Sequence, residues 1–206
     1  MHPNPSFRQT DDAAARAFAA ARGFGVLTVA GEAGVMAAHV PFVLEGARVA
    51  AHLVRSNPIA RALRAGPVEA LLIVSGPDAY VSPDWYGEAD KVPTWNYVAV
   101  DLRGALALLP QERLLPHLEA LSARFEADLP KRPWTHGKMT PGVMEGLMRQ
   151  IVPVEMAVTS VESTFKLNQN RSAEARAGAA AELASGTTPG QETAQLAAMM
   201  RALADA

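Results

Sequence analysis

Residues 25–54 read GVLTVAGEAGVMAAHVPFVLEGARVAAHLV. Three short runs rich in valine and other apolar residues are separated here by glycine-containing breaks, and Glu45-Gly46 stands between the second and third runs. Short runs with turn residues between them are typical of neighbouring antiparallel strands. Further strand-like runs follow at 68–77, 79–87, 94–109 and 151–167, so the chain is predicted to be rich in β-structure.

Helical patterns occupy the flanks and one insertion of this chain. A capping sequence, Thr10-Asp11-Asp12, opens an Ala-rich stretch that ends at Gly23 and predicts a helix over about 11–22. A leucine-rich pattern after Pro110 predicts a helical insertion at about 110–150. We therefore predict a mainly β fold, an antiparallel β-barrel with α-helices outside it. The predicted organisation is one domain over residues 1–170 and a helical C-terminal tail over 171–206.

The amino-acid composition excludes several classes of function. The 206 residues are 49% apolar and 19% charged, with no cysteine, so disulfides and thiolate chemistry are excluded. The net charge of −2 does not indicate a chain dominated by phosphate neutralisation. No apolar run is long enough to span a bilayer and the N-terminus lacks a secretory pattern, so we expect a cytoplasmic protein without a membrane partner. The sequence contains no P-loop, dinucleotide glycine fingerprint or nucleophile elbow.

The motif HLVRSNP at 52–58 predicts an anion pocket. Arg55 and Ser56 precede a short helix for which Asn57 is a plausible N-cap. Free N–H groups at a helix start, together with a guanidinium, suit a phosphate. The alternative interpretation is that Asn57 only caps the helix while Arg55 makes a surface ion pair.

Two histidines flank the predicted turn at Glu45-Gly46. His39, in the sequence HVP with Val40 and Pro41, and His52 stand at about equal distances from this turn, so their imidazoles are predicted to face each other across the two strands. A metal pair is conceivable, but the sequence supplies no third ligand at a familiar spacing. Hydrogen-bonded histidines of a core or a pocket are the alternative.

The stretch VPTWNYV at 92–98 places an amide between two aromatic side chains. Because side chains alternate along a strand, Trp95 and Tyr97 share one face while Thr94 and Asn96 share the other. Aromatic groups beside a polar group can stack on a planar ligand or fill a subunit interface. An aromatic core with a buried amide is the alternative.

The stretch TFKLNQNR at 164–171 ends the last strand-like run with two cations and three amides. These side chains could hold a phosphate or the polar edge of a ring. They could equally form a solvated strand exit that caps the helical tail.

In this order the motifs HLVRSNP, GPDAYVSPDWYG, VPTWNYVAV and FKLNQNR resemble the PaiB-type FMN-binding negative transcriptional regulators. The resemblance extends from the N-terminal MHPNPSF to about Leu183, and VPTWNYVAV and FKLNQNR are its specific parts. The chain departs from the usual pattern at His2, Asp101 and Asn168, where the family more often has tyrosine, histidine and serine.

The resemblance implies an FMN-binding split β-barrel, assembled as a homodimer with the flavin in a groove between subunits. Residues 1–170 would then be the FMN-binding split-barrel domain. The phosphate and one ring edge would lie on the second and third strands and the loop after the third strand, and the partner subunit would supply the remaining walls. The implied cofactor-binding residues are His39, Val40, Pro41, His52, Arg55, Ser56, Asn57, Trp95, Asn96, Lys166, Gln169, Asn170 and Arg171.

Three functions remain open at this point. The resemblance implies a negative regulator of transcription that acts through DNA or through a partner regulator. The alternative is a flavin-dependent oxidoreductase related to the pyridoxamine-phosphate oxidases, in which the protein orients the flavin and its substrate. The third is a flavin-binding or storage module without turnover. The sequence does not decide whether the protein is an enzyme.

Overall fold

A computed structural model describes residues 2–32 and 34–203. Within them the chain forms seven strands and six α-helices. The strands are β1 Phe24–Gly31, β2 Gly34–Glu45, β3 Arg48–Val54, β4 Val68–Val81, β5 Thr94–Leu108, β6 Ile151–Lys166 and β7 Gly190–Gln191. The helices are α1 Asp12–Arg22, α2 Pro58–Ala62, α3 Leu114–Glu126, α4 Val143–Met148, α5 Ala173–Leu183 and α6 Thr193–Arg201.

The strands form one sheet in the order β1-β2-β3-β6-β5-β4-β7, and β1 also pairs with β4, so the hydrogen-bonded order returns to its first strand. The pairings of β1 with β2 and β4, of β3 with β2 and β6, and of β7 with β4 are antiparallel. The predicted fold class, a mainly β antiparallel split barrel with a helical insertion and a helical tail, is confirmed. Among the described residues no helix is both long enough and apolar enough to cross a membrane.

The chain divides into two compact units. The first unit combines Met1–Ala15, Ser75–Val100 and Glu162–Ala206, and the second combines Arg16–Val74 and Asp101–Val161. Strands β4, β5 and β6 each contribute one part to each unit. The division into a domain over 1–170 and a tail over 171–206 stays a prediction, and its end points Met1 and 204–206 lie outside the described residues.

The core of the second unit follows from alternation along its strands. In β3 the side chains of Val49, Ala51 and Leu53 are buried while their neighbours are not. Phe42 and Met156 are buried with them, and burying a side chain of this size contributes roughly 1.5–3 kcal/mol. This alternation fixes which residues of β3 face outward, and His52 is among them.

One glycine sets how closely β5 and β6 approach. A Cβ atom built on Gly104 would stand 1.9 Å from the carbonyl oxygen of Ala157. Only a residue without a side chain fits such a contact. Strand β5 runs through this glycine without interruption, from Thr94 to Leu108.

The first unit contains the N-terminal segment and the tail helices. The backbone amide of His2 donates to Thr164 Oγ1 at 3.3 Å, and Gln169 Nε2 donates to the carbonyl of Ser6 at 3.1 Å. Helix α5 packs against α6 and against the turn that contains Trp85. The described part of the tail is therefore integrated into a folded unit.

The sequence predicts a short extended piece at 79–87 that is broken by Pro83; the break is confirmed, but the residues after it are not extended. Strand β4 continues to Val81, and Pro83–Tyr86 then form a 3-10 turn, at whose start Ser82 Oγ accepts from the backbone amide of Asp84 at 3.3 Å. Gly87 ends the turn with a φ of 62°, a conformation that glycine adopts without strain. The turn chemistry of Ser82 and Pro83 overrides the strand propensity of the aromatic residues here.

Candidate functional site

Arg55 is held in a fixed orientation after β3. Its Nε donates to the carbonyl of Arg149 at 2.9 Å, and its Nη2 donates to Gln111 Oε1 at 3.1 Å and to the carbonyl of Ile151 at 3.2 Å. The backbone amide of Arg55 also donates to the carbonyl of Gln150 at 2.8 Å. Arg55 therefore makes none of the surface ion pairs that the alternative interpretation required among the described residues.

Ser56 and Asn57 continue this segment into α2. Asn57 Oδ1 accepts a hydrogen bond from the backbone amide of Ile59 at 2.9 Å and caps the helix, with Pro58 at its first position. The Ser56 side chain is exposed. Capping by Asn57 and a pocket at Arg55 and Ser56 are thus compatible, because they use different groups.

The predicted pairing of His39 with His52 is wrong. The turn between β2 and β3 is Gly46-Ala47, one residue later than the sequence indicated, and the register pairs Glu45 with Arg48 and Phe42 with Ala51. A turn shifted by one residue moves the pairing by two residues, so His52 does not lie directly opposite His39. His39 is exposed and stacks on Phe24 with ring centroids 6.4 Å apart. Val40 is buried in the core and Pro41 is half-buried.

His52 instead contacts His117 of α3. Its Nδ1 lies 3.2 Å from His117 Nε2, so one imidazole donates a hydrogen bond to the other. His117 is buried, and its Nδ1 has no partner among the described residues. Burial and the neighbouring His52 lower the pKa of His117 to about 4, and burial lowers the pKa of His52. Within the described part of the chain no group of three or more His, Asp or Glu could hold a metal ion.

This pair should make stability depend on pH. The pKa of His117 is about 4 in the folded protein, whereas in the unfolded chain it has the ordinary histidine value of 6.5. Between these two pH values the unfolded chain binds a proton that the folded chain excludes. Stability is therefore full above pH 6.5 and falls as the pH falls towards 4. We expect the free energy of unfolding to drop by roughly 2 kcal/mol between pH 7.5 and pH 5 through this group.

Urea unfolding of the wild type and of His117→Gln at both pH values measures this effect. The variant keeps a hydrogen-bonding side chain but loses the titration, so its drop in stability should be clearly smaller. An equal drop in both proteins would assign the pH dependence to other groups.

Trp95 and Asn96 point to opposite faces of β5, as the alternation predicted. Trp95 is 47% exposed and borders, with Ser75, Asp78 and Tyr97, an open groove of about 360 Å³. Asn96 is fully buried, where its Nδ2 lies 3.6 Å from Met200 Sδ and its Oδ1 has no partner among the described residues. Burying an amide oxygen without a partner costs about 1–3 kcal/mol, so this amide is not a simple core filler.

Lys166 lies at the end of β6. Its ammonium donates to Thr94 Oγ1 and lies 5.8 Å from the ring centroid of Phe7. Burial, and secondarily the charge of Arg171, lower the pKa of Lys166. A partly desolvated cation of this kind suits an anionic or strongly polar neighbour.

The residues after Lys166 form a turn held by side chains. Gln169 accepts from the backbone amide of Leu167 at 2.8 Å through Oε1 and donates through Nε2 to the carbonyl of Phe165 at 2.6 Å. Asn170 is exposed. Arg171 lies 4.9 Å above the ring centroid of Tyr86 and 3.9 Å from Glu88 Oε2. These side chains therefore stabilise the strand exit, whatever else they bind.

The predicted residues thus form two groups, one in each unit. His39 to Pro41 and His52 to Asn57 belong to the second unit, and Trp95, Asn96 and the residues 166–171 belong to the first. Sequence reasoning missed His117 and Gln111. His117 stands three residues after Leu114 and four before Leu121, all buried on one helix face, and this helical spacing was the available signal.

FMN carries a phosphate and a planar ring, and each group of residues fits one of these parts. Among the described residues Nη1 of Arg55 and the hydroxyl of Ser56 have no partner, and residues 55–64 contain no acid. These donors suit a phosphate. The exposed indole of Trp95, with Tyr80 packed against it edge to face at 6.4 Å, suits a planar ring.

Comparison with known proteins gives relatives at the level of sequence and of structure. The chain is 28% identical over 152 residues to the protease synthase and sporulation protein PAI 2 of Bacillus subtilis, covering 72% of each chain. Its fold is similar to that of the FAD and heme binding protein from Mycobacterium smegmatis, with a TM-score of 0.56 and 16% identity over 78% of this chain and 73% of that one. The flavocytochrome Anf3 from Azotobacter vinelandii has the same TM-score and identity over 80% and 72%.

A family model settles the assignment. The model described as "Putative FMN-binding domain" matches residues 1–160, which include both groups except Lys166 and the turn after it. FMN is the cofactor of that family, in agreement with the donors around Arg55 and with the motifs at 52–58 and 92–100. This chain belongs to the FMN-binding domain family.

Proposed function

We propose that this protein binds FMN with the phosphate on Arg55, Ser56 and the capped start of α2. The observation that carries the proposal is the fixed guanidinium of Arg55, which three hydrogen bonds orient while Nη1 stays free among the described residues. A pre-oriented donor binds a phosphate without first losing side-chain freedom. The lack of acidic side chains in 55–64 supports the same assignment.

The other predicted residues complete the proposed site. His39, Val40, Pro41 and His52 lie on the strands that lead to Arg55, and we assign them to the phosphate side and one ring edge. Trp95, Asn96, Lys166, Gln169, Asn170 and Arg171 are assigned to walls that a second copy of the chain supplies in a homodimer. The exposed indole of Trp95 supports this role. Asn96, which is fully buried on the opposite face of β5, would position the strand that carries Trp95.

The residues of this chain would bind and orient the flavin, and they would leave its redox chemistry to the cofactor. Bound FMN supplies the capacity to accept and release electrons. Because their pKa values are lowered, His52 and His117 stay uncharged near neutral pH, so they add no positive charge to that of Arg55 at the proposed phosphate site. Lys166, whose pKa is also lowered, and Arg171 would be the cations of the second group.

We further propose that the flavoprotein acts as a negative regulator of transcription of the PaiB type. The similarity to the Bacillus protein, whose name refers to protease synthase and sporulation, supports this role. Helices α5 and α6 present few cations. Helix α5 contains one cation, Arg176, which is buried, and α6 contains one, Arg201. An indirect action through a partner regulator is therefore favoured over direct reading of DNA.

The first experiment is to purify the native protein, measure its mass in solution and titrate it with FMN. We expect a dimer that binds about one FMN per chain and shows the flavin absorption bands. A monomer that ignores added FMN would contradict the proposal. With FMN bound, fast reduction by NADH or NADPH with turnover of an acceptor would favour the oxidoreductase over the regulator.

A further inference from the structure

A second cavity lies in the second unit, in the helical insertion. It has a volume of about 590 Å³ and is lined by α3, by the loop that follows it and by α4. Its apolar walls come from Leu118, Pro133, Trp134 and Met144. None of these residues belongs to the proposed flavin site. A cavity of 300–1,000 Å³ with apolar walls is typical of small-molecule sites.

Part of the lining of this cavity is polar. Glu119 and His136 both line it, and His136 Nδ1 lies 3.3 Å from Glu119 Oε1. The other carboxylate oxygen of Glu119 has no partner among the described residues and remains able to accept a hydrogen bond. The hydroxyls of Ser122 and Thr135 also line the cavity. A few polar groups in the wall of an apolar cavity fix the orientation of a ligand.

The charges around the cavity balance, including Arg132 and Glu145, which stand next to the lining residues Pro133 and Met144. Lys138 donates to the carbonyl of Pro133 at 2.8 Å. Its positive charge therefore lies beside the wall of the cavity and offsets the negative charge of Glu119. Lys131 is bound to Glu126, and Arg124 lies 3.7 Å from Asp128, so these four charges cancel in pairs. A ligand with a net charge would gain little from this surrounding field, which suits an uncharged molecule.

The walls favour an aromatic ligand. Trp134 is held in place because its backbone amide donates to Glu126 Oε2 at 2.7 Å, yet its side chain is 37% exposed. Indole stacks on flat rings, and the thioether of Met144 makes favourable contacts with them. We propose that this cavity binds an uncharged aromatic molecule whose hydrogen-bond donor points to the Glu119 carboxylate.

The cavity is also linked to Arg55, and this part of the inference rests on the proposed function. Gln111, just before α3, and Arg149, just after α4, are the two residues whose oxygens hold the Arg55 guanidinium together with Ile151. Both helices that line the cavity therefore end at the proposed phosphate site. A ligand that displaces α4 moves an oxygen that orients Arg55, so occupancy of the cavity changes the affinity for FMN, and FMN changes the affinity of the cavity by the same factor.

The site itself is tested without flavin, by calorimetric titration of the full-length protein with three probes of one shape. These are 2-naphthol, which is uncharged and donates a hydrogen bond, 2-methoxynaphthalene, which lacks the donor, and the 2-naphthoate anion. We expect 2-naphthol to bind once per chain, at least fivefold more tightly than either of the others. Failure of 2-naphthol to bind at millimolar concentration, or equal binding of all three, would overturn the proposal.

Three variants locate the binding. Trp134→Ala should weaken 2-naphthol at least tenfold, and Glu119→Met should abolish its advantage over 2-methoxynaphthalene while keeping the side-chain volume. Leu147→Ala is the control, since Leu147 is half-exposed on α4 and does not line the cavity. Unchanged binding by Trp134→Ala, with an unaltered thermal unfolding temperature, would place the ligand elsewhere.

The link to Arg55 is tested by titrating FMN with and without saturating 2-naphthol. We expect at least a threefold change in the FMN dissociation constant, and no such change in Trp134→Ala. An identical constant would refute the link and leave the cavity site standing. If FMN did not bind in either condition, the proposed function would fail, while the flavin-free titration would still decide the cavity site.

Discussion

Replacing Gly104 by alanine is expected to destabilise the protein by about 3 kcal/mol or more. The added methyl group would stand 1.9 Å from the carbonyl oxygen of Ala157 and 3.0 Å from Val158 Cα, so it meets backbone that no rotamer change can move. The two strands would have to separate there and lengthen the hydrogen bonds that join them. Native proteins are stable by only about 5–15 kcal/mol, so this one methyl group removes a large share.

Urea unfolding of the wild type and of Gly104→Ala measures the loss, which should lower the midpoint by roughly 1 M or more. Gly146→Ala is the matched control in the same unit. A Cβ atom on Gly146 would meet only Arg149 Nη2, at 3.7 Å, and alanine stabilises a helix interior by about 0.5–1 kcal/mol. If Gly104→Ala lowered the free energy of unfolding by no more than Gly146→Ala changes it, β5 and β6 would be less tightly packed at this point than described.

The second large effect concerns Arg55, whose replacement by alanine should weaken FMN binding about ten- to hundredfold. A charge-assisted hydrogen bond contributes roughly 1.5–3 kcal/mol, and every 1.4 kcal/mol is a factor of ten in affinity. Arg61→Ala is the control. Arg61 is an exposed cation of α2, so its replacement removes the same charge but leaves the oriented guanidinium of Arg55 in place. We expect the FMN affinity of the control to stay within about threefold of the wild type.

Arg55 also satisfies the carbonyls of Arg149 and Ile151, so its loss acts on the fold as well as on the ligand. Gln111→Ala separates the two effects, because it removes one oxygen that orients Arg55 and keeps the guanidinium. It should weaken FMN binding less than Arg55→Ala does. If Arg61→Ala weakened FMN as strongly as Arg55→Ala, the site would be recognising charge in general and the assignment to Arg55 would be wrong.

The fold could be predicted from the sequence because its signals are local. Runs such as 25–30 and 94–108 alternate or stay apolar at strand length, and Asn57-Pro58 and Gly23 mark helix ends by their own chemistry. The predicted helices at 11–22 and after Pro58 and Pro110 correspond to α1, α2 and α3. The small strand β7 was missed, since two residues give no periodicity.

The site could be predicted only in part, because its contacts are made over long distances in the chain. No pattern near Arg55 indicates that its partners stand 94 and 96 residues later. The error over His39 came from placing a turn one residue early, which left the alternation of faces intact and changed the register. The assignment of cofactor contacts to individual residues stays a prediction.

The hydrogen bonds of His2 and Ser6 in the first unit govern when that unit can form during synthesis. Their partners Thr164 and Gln169 follow them by 162 and 163 residues. At a translation rate of roughly 5–20 residues per second, the N-terminal segment waits about 8–30 s for these partners to leave the ribosome. The second unit already has its first strands by then. The protein therefore completes its fold late, and contacts of such high sequence separation make that last step slow.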